Sequence, residues 1–186
     1  MSSTTATPTN VTTWNLDPAH SSAEFKVRHL MISNVKGSFR GLKGVLTLDK
    51  ANPANSSVKA SADVNTIATG DEQRDGHLKT PEFFDAAKYP EITFQSTSVK
   101  SLGSDEFQVT GDLTIHGVTK SVTFAVDDFG EPAKDPWGNL RVGLNAIGKI
   151  NRKDFDLTWN AALETGGVMV GEEVTITLEA EFIKAA

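Results

Sequence analysis

Period-two alternation recurs along most of this 186-residue chain. A chain so patterned builds sheet with one apolar face. Ala23, Phe25 and Val27 share one phase, while Glu24, Lys26 and Arg28 take the other. Further runs follow at Val35–Leu48, Val58–Val64, Ile92–Ser98, Phe107–Ile115, Val122–Val126, Leu140–Ala146 and Val174–Phe182. Eight strands with one apolar face each predict an all-β fold, an antiparallel barrel or sandwich rather than a parallel sheet. In the second run the apolar phase passes from Phe39 to Leu42 without a turn, which is what one inserted residue produces. A bulge is therefore expected near Arg40–Leu42. The inward phases also hold many small residues, among them Ala60, Ala62, Ser96, Gly111, Ala146 and Ala180. Small inward side chains leave an eight-stranded barrel room for one ligand.

Alternation fails at length only between the third and fourth runs, where Thr69–Phe94 reads TGDEQRDGHLKTPEFFDAAKYPEITF. The spacing predicts a short helical insertion within Asp71–Ala87, with Thr69 and Glu72 as a capping box and Pro81 as a stop. Asp75 and Lys79 stand four apart, as a surface pair. Arg74, His77 and Leu78 share one helix face, and Phe83, Phe84 and Tyr89 follow closely. A polar and aromatic attachment of this kind is the natural place to seek a binding mouth, so Arg74, Asp75, His77, Phe83 and Phe84 are mouth candidates.

The chain is large enough for one domain with its own core. It has no cysteine, which removes disulfides, thiolate catalysis and thiolate metal ligands. A net charge of -6 disfavours nucleic acid as a partner. No run approaches a membrane-spanning length, so the chain is not expected to span a bilayer. Residues 1–13 are rich in Ser and Thr and read as a disordered tail, leaving 14–186 as the barrel domain. They lack the basic and apolar regions of a secretory leader, which makes the cytoplasm the expected location.

Motifs for chemistry are weak. Gly143 to Lys149 approaches a phosphate-binding loop, but Ile150 stands where a hydroxyl is needed and the run alternates as a strand. His20, His29, His77 and His116 show no metal-ligand spacing, so neither a metal nor another cofactor is expected. His20-Ser21 lacks the surroundings of an activated nucleophile.

Five segments in order carry a resemblance: Asp17-Pro18 with His20-Ser21, Arg74-Asp75 with His77-Leu78, Phe83-Phe84-Asp85, Tyr89-Pro90, and Gly111 to Gly117. Together they resemble the YceI-like family of lipid- and polyisoprenoid-binding proteins, from Trp14 to Phe182. The resemblance implies an eight-stranded antiparallel lipocalin-like β-barrel with a short helical insertion between strands three and four. It implies a long apolar ligand in the lumen, such as a polyprenyl or quinone tail or a fatty amide. Many members are dimers, and a homodimer is neither supported nor opposed by the residues here. One departure is Asp156, where the family usually has glycine; Asp tolerates a left-handed backbone, so the turn is expected to survive.

The reading is therefore a non-enzymatic barrel that sequesters or transports an apolar long-chain lipid. Phe25, Val27, Phe39, Val64, Phe94, Leu113, Phe124, Leu144 and Ile176 are expected to line the lumen, each lying on its strand's apolar phase. His20 and His29 join the mouth candidates. The alternatives are an enzyme acting on a lipid or quinone head group, with His20, His29, Arg74, Asp75 or His77 as acid or base, and a structural barrel whose lumen is packed.

Overall fold

The computed structural model describes residues 11–164 and 166–186. Its strands are β1 (Val11–Leu16), β2 (Ser22–His29), β3 (Ser33–Asp49), β4 (Ser57–Ala68), β5 (Glu91–Ser101), β6 (Phe107–Ile115), β7 (Val118–Asp127), β8 (Ala133–Lys134), β9 (Leu140–Asn151) and β10 (Val170–Lys184). One α-helix, α1 (Glu72–Leu78), lies between β4 and β5. β2 to β7, then β9 and β10, pair antiparallel in sequence, and β10 returns to β2. The result is a closed eight-stranded antiparallel barrel, and each of the eight alternating runs is one of its staves.

β1 and β2 share a single stave. The first half of β3 pairs with β2, from Ser33 opposite His29 to Phe39 opposite Ala23. Its second half pairs with β1, from Val45 opposite Asn15 to Asp49 opposite Val11. β10 is divided in the same way, with Leu178 opposite Ala23 and Phe182 opposite Leu16. Between the two segments, Pro18–His20 form a single 3₁₀ turn, and the Asp17 carboxylate accepts from the Ala19 N–H. Without β1 the far halves of β3 and β10 would present unpaired backbone groups, which is the usual liability of a sheet edge. This corrects the expected tail: Val11–Thr13 are strand, with β-branched side chains suited to it, and residues 1–10 lie outside the described residues.

The β3 irregularity falls where the phase switch put it. Pairing with β4 shifts between Ser38 and Lys43, and Gly41 stands at φ +65°. Phe39 is buried before the bulge, and Leu46 and Leu48 are buried after it, on the opposite parity. One inserted residue thereby keeps both halves of a 17-residue strand facing inward.

Strand direction assigns the connections to two ends. α1, residues 79–90, the β6–β7 turn and residues 152–169 all lie at one end. The β3–β4, β5–β6 and β7–β9 connections, the start of β1 and the end of β10 lie at the other. The helix is capped by Asp71, whose side chain accepts from the Arg74 N–H, and not by Thr69 as the spacing suggested. Thr69 instead donates its hydroxyl to Asp75 and accepts from Arg74 Nε, so Asp75 turns away from Lys79.

Candidate functional site

The barrel encloses a cavity of about 400 Å³ with mainly apolar walls. Its walls come from inward positions of every stave, including Phe25, Phe39, Phe94, Phe124, Leu144 and Ile176. Several of these side chains are only half-buried although they point into the barrel, because they face the cavity.

Three phenylalanine–glycine pairs shape that space. Phe25 stands opposite Gly37 and Phe124 opposite Gly148, while Phe94 lies beside Gly111 one step along the ladder. A methyl group built on Gly37, Gly111 or Gly148 would meet the corresponding ring at 2.4, 2.5 and 2.7 Å. The rings lie over the bare backbone of the neighbouring strand, which leaves the lumen's axis open. Gly111 therefore does not leave a gap, as its place among the small inward residues suggested; Phe94 covers it. Ala60, Ala62, Ala146 and Ala180 do line the cavity.

The two ends differ. At the helix end the lining is Phe84, Leu157, Ile150 and Arg152, backed by Phe155, which is 1% exposed. At the opposite end the same space is reached by Asp49, Lys50, Ser104, Gly130 and Glu131, from loops exposed to solvent. The mouth is therefore among the β3–β4, β5–β6 and β7–β9 connections, and the helical attachment is the plug. Across the mouth Lys50 Nζ donates to Glu131 Oε2 at 2.7 Å. Both side chains are well exposed, so this bridge adds little stability.

This placement sorts the residues singled out from the sequence. Phe25, Phe39, Phe94, Leu113, Phe124, Leu144 and Ile176 line the cavity; Val27 and Val64 do not. Val64 is 1% exposed and packed too tightly to reach open space. Of the mouth candidates only Phe84 meets the cavity, and it does so from the closed end. Arg74 folds back on Thr69, donating from Nε to the hydroxyl and from Nη2 to the carbonyl at 2.7 and 2.9 Å. His77 pairs with Glu82 and packs edge-on against Phe83 and Trp159, which ties the helix to the 152–169 segment. His29 ends β2 away from the cavity. The correction is physical: α1 follows β4, and the barrel's closure puts the end of β4 opposite the open loops.

His20 lies on the outer wall at the break between β1 and β2, its Nδ1 2.9 Å from Asp17 Oδ2. Arg141 joins Asp17 and Asp135 at 2.7 Å each, and also Glu181. Hydrogen bonds from His20 and Arg141 hold the Asp17 carboxyl down at about 2. The ligand atoms of Asp17, His20 and Glu181 lie within 4.8 Å of one another, but the Arg141 guanidinium already supplies the positive charge there. The acid–base candidates are thus dispersed over the outer wall and the plug, and none faces the cavity.

Two arginines escaped the sequence reading. Arg141 gathers partners 124 and 40 residues away, so no local pattern betrays it. Arg152 is the one charged residue buried as a whole, backbone and side chain, among the described residues, and it lines the cavity.

Comparison with known proteins fits this geometry. Residues 14–182 match the YceI-like domain. The chain belongs to the YceI-like family. Protein YceI of Salmonella newport (strain SL254) is 42% identical over 139 residues, which is 75% of this chain and 72% of that protein. Among solved structures, Burkholderia cenocepacia BcnA superposes with a TM-score of 0.76 at 25% identity, over 89% of this chain and 98% of that one. The YceI protein of Campylobacter jejuni gives 0.72 at 30% identity, over 86% and 90%. A polyisoprenoid-binding domain from Saccharophagus degradans shares the fold at 0.66 and 17% identity, over 92% and 98%. YceI-like barrels therefore share this closed architecture across low sequence identity.

Proposed function

We propose that this protein binds and sequesters a long apolar lipid of isoprenoid type, a polyprenyl or quinone tail, in the barrel lumen. One observation carries the reading: the interior keeps about 400 Å³ of apolar space where a structural barrel would close over packed side chains. The polyisoprenoid-binding domain of Saccharophagus degradans, built on the same fold, supports the ligand class. An enzyme acting on the head group is disfavoured, because none of the acid–base candidates His20, His29, Arg74, Asp75 and His77 lines the cavity.

The mechanism is transfer of apolar surface from water to the lumen wall. Each enclosed five-carbon unit gains up to roughly 4 kcal/mol by area. Ordering a flexible chain offsets much of that gain. Organic extraction of the purified protein followed by mass spectrometry tests the reading, and a co-purifying apolar chain is the expected result. Ala62, on the cavity wall, provides the control. Ala62→Trp fills the space and should abolish uptake of a polyprenyl probe while costing about 1–3 kcal/mol of stability. Undiminished uptake by a folded Ala62→Trp protein would remove the ligand from the lumen.

A further inference from the structure

Arg152 is 4% exposed, lines the cavity, and opens the 3₁₀ turn that follows β9 at the closed end. Its Nε donates to the Gly171 carbonyl at 2.8 Å. Nη1 donates to Leu157 and Trp159, and Nη2 to Val170 at 3.3 Å. Four of its five N–H groups are thus used, all on backbone carbonyls, and one on Nη2 is left. Carbonyl dipoles solvate the guanidinium, but no carboxylate bonds to it, and Glu172 acts on it only through space. None of the ion pairs among the described residues includes Arg152. The neighbouring carboxylate, Glu172, is taken by Lys153 at 2.6 Å. Burial accordingly weakens this guanidinium's hold on its proton.

A buried cation with no anion bonded to it directly is unusual, because desolvation normally demands one. Here it faces an apolar cavity whose low dielectric strengthens any interaction with a negative group. The mouth offers no such partner, since Lys50 is already paired with Glu131 beside Asp49. We infer that Arg152 is an anion anchor at the floor of the lumen. It receives the anionic end of the ligand, a carboxylate or a phosphate, so the ligand enters head first and leaves its tail toward the mouth. The four carbonyls hold the guanidinium in place, and the remaining N–H makes the charge-assisted bond. This rests on the lumen being the ligand site.

The test varies the head group and leaves the protein intact. Delipidated wild-type protein is titrated with dodecanoate, methyl dodecanoate and dodecanol at mildly alkaline pH, by displacement of an apolar fluorophore from the lumen. Dodecanoate should bind roughly tenfold or more tightly than the other two. Arg152→Met should abolish that preference, and Arg152→Lys should restore part of it. Arg152→Met strips donors from four carbonyls and can fail to fold, so the wild-type series decides by itself. An ester or alcohol that binds as tightly as the acid overturns the anchor and leaves the carrier reading standing. If none of the three displaces the fluorophore, the carrier reading falls and the anchor falls with it.

Discussion

At Asp156 the backbone stands at φ 58° and ψ 18°, a left-handed conformation that closes the turn carrying Arg152 and Phe155. The turn expected from the sequence is present, and aspartate tolerates it at a cost that glycine would avoid. Asp156→Gly should raise stability by about 1 kcal/mol and Asp156→Val should lower it, as read from denaturant unfolding midpoints. Arg141 makes a second residue-scale prediction. The Asp17 carboxyl is held at about 2, below its ordinary value near 3.8, first by His20 and then by Arg141. A depressed carboxyl stabilises the folded state above its unfolded pKa, and that contribution is lost as pH falls through the folded one. Stability should therefore decline from about pH 4 toward pH 2, and Arg141→Met should flatten that part of the profile, checked by thermal melts across the range. Arg74→Ala should cost about 1–2 kcal/mol through the lost bonds to Thr69 and leave lipid affinity unchanged, since the residue does not meet the cavity.

At the scale of elements, the pairing of phenylalanine with glycine across neighbouring strands sets the bore of the barrel. Gly148→Ala would put a methyl group 2.7 Å from the Phe124 ring, which must then swing toward the axis. The expected result is a loss of about 1–3 kcal/mol together with weaker binding of long-chain probes, measured by melting and by fluorophore displacement. Alternation made every stave legible in the sequence, because a two-residue period is local. It also made the β3 bulge legible. It could not say which ring covers which glycine, since Phe124 and Gly148 meet only through the register of β7 against β9. Nor could it say which end α1 closes. The polar and aromatic residues of that segment are concentrated as a mouth would have them, but they serve to seal the floor: Phe83 and Ala86 are buried, and Leu78 packs against the Phe39 cluster.

For the molecule as a whole, the eight antiparallel staves were readable from pattern and the helical insertion from its failure. The seam was not. Val11–Thr13 close a Ser- and Thr-rich stretch that reads as a tail, and only the otherwise unpaired halves of β3 and β10 reveal why they are strand. Trp14, 2% exposed, anchors it among Leu46, Leu48, Val142 and Phe182. That seam has a topological consequence. β10 ends beside the start of β1, with Trp14 opposite Lys184 and the Ala185 N–H bonded to the Thr13 carbonyl at 2.8 Å. The last strand and the first are thus an antiparallel hairpin lacking only its turn, and loops of about two to five residues close such hairpins. From Val11 to the end of β10 the described strands run as a ring in space. A circular permutant that joins residue 186 to residue 11 through such a loop, and begins anew at the turn between His29 and Ser33, should fold to the same barrel.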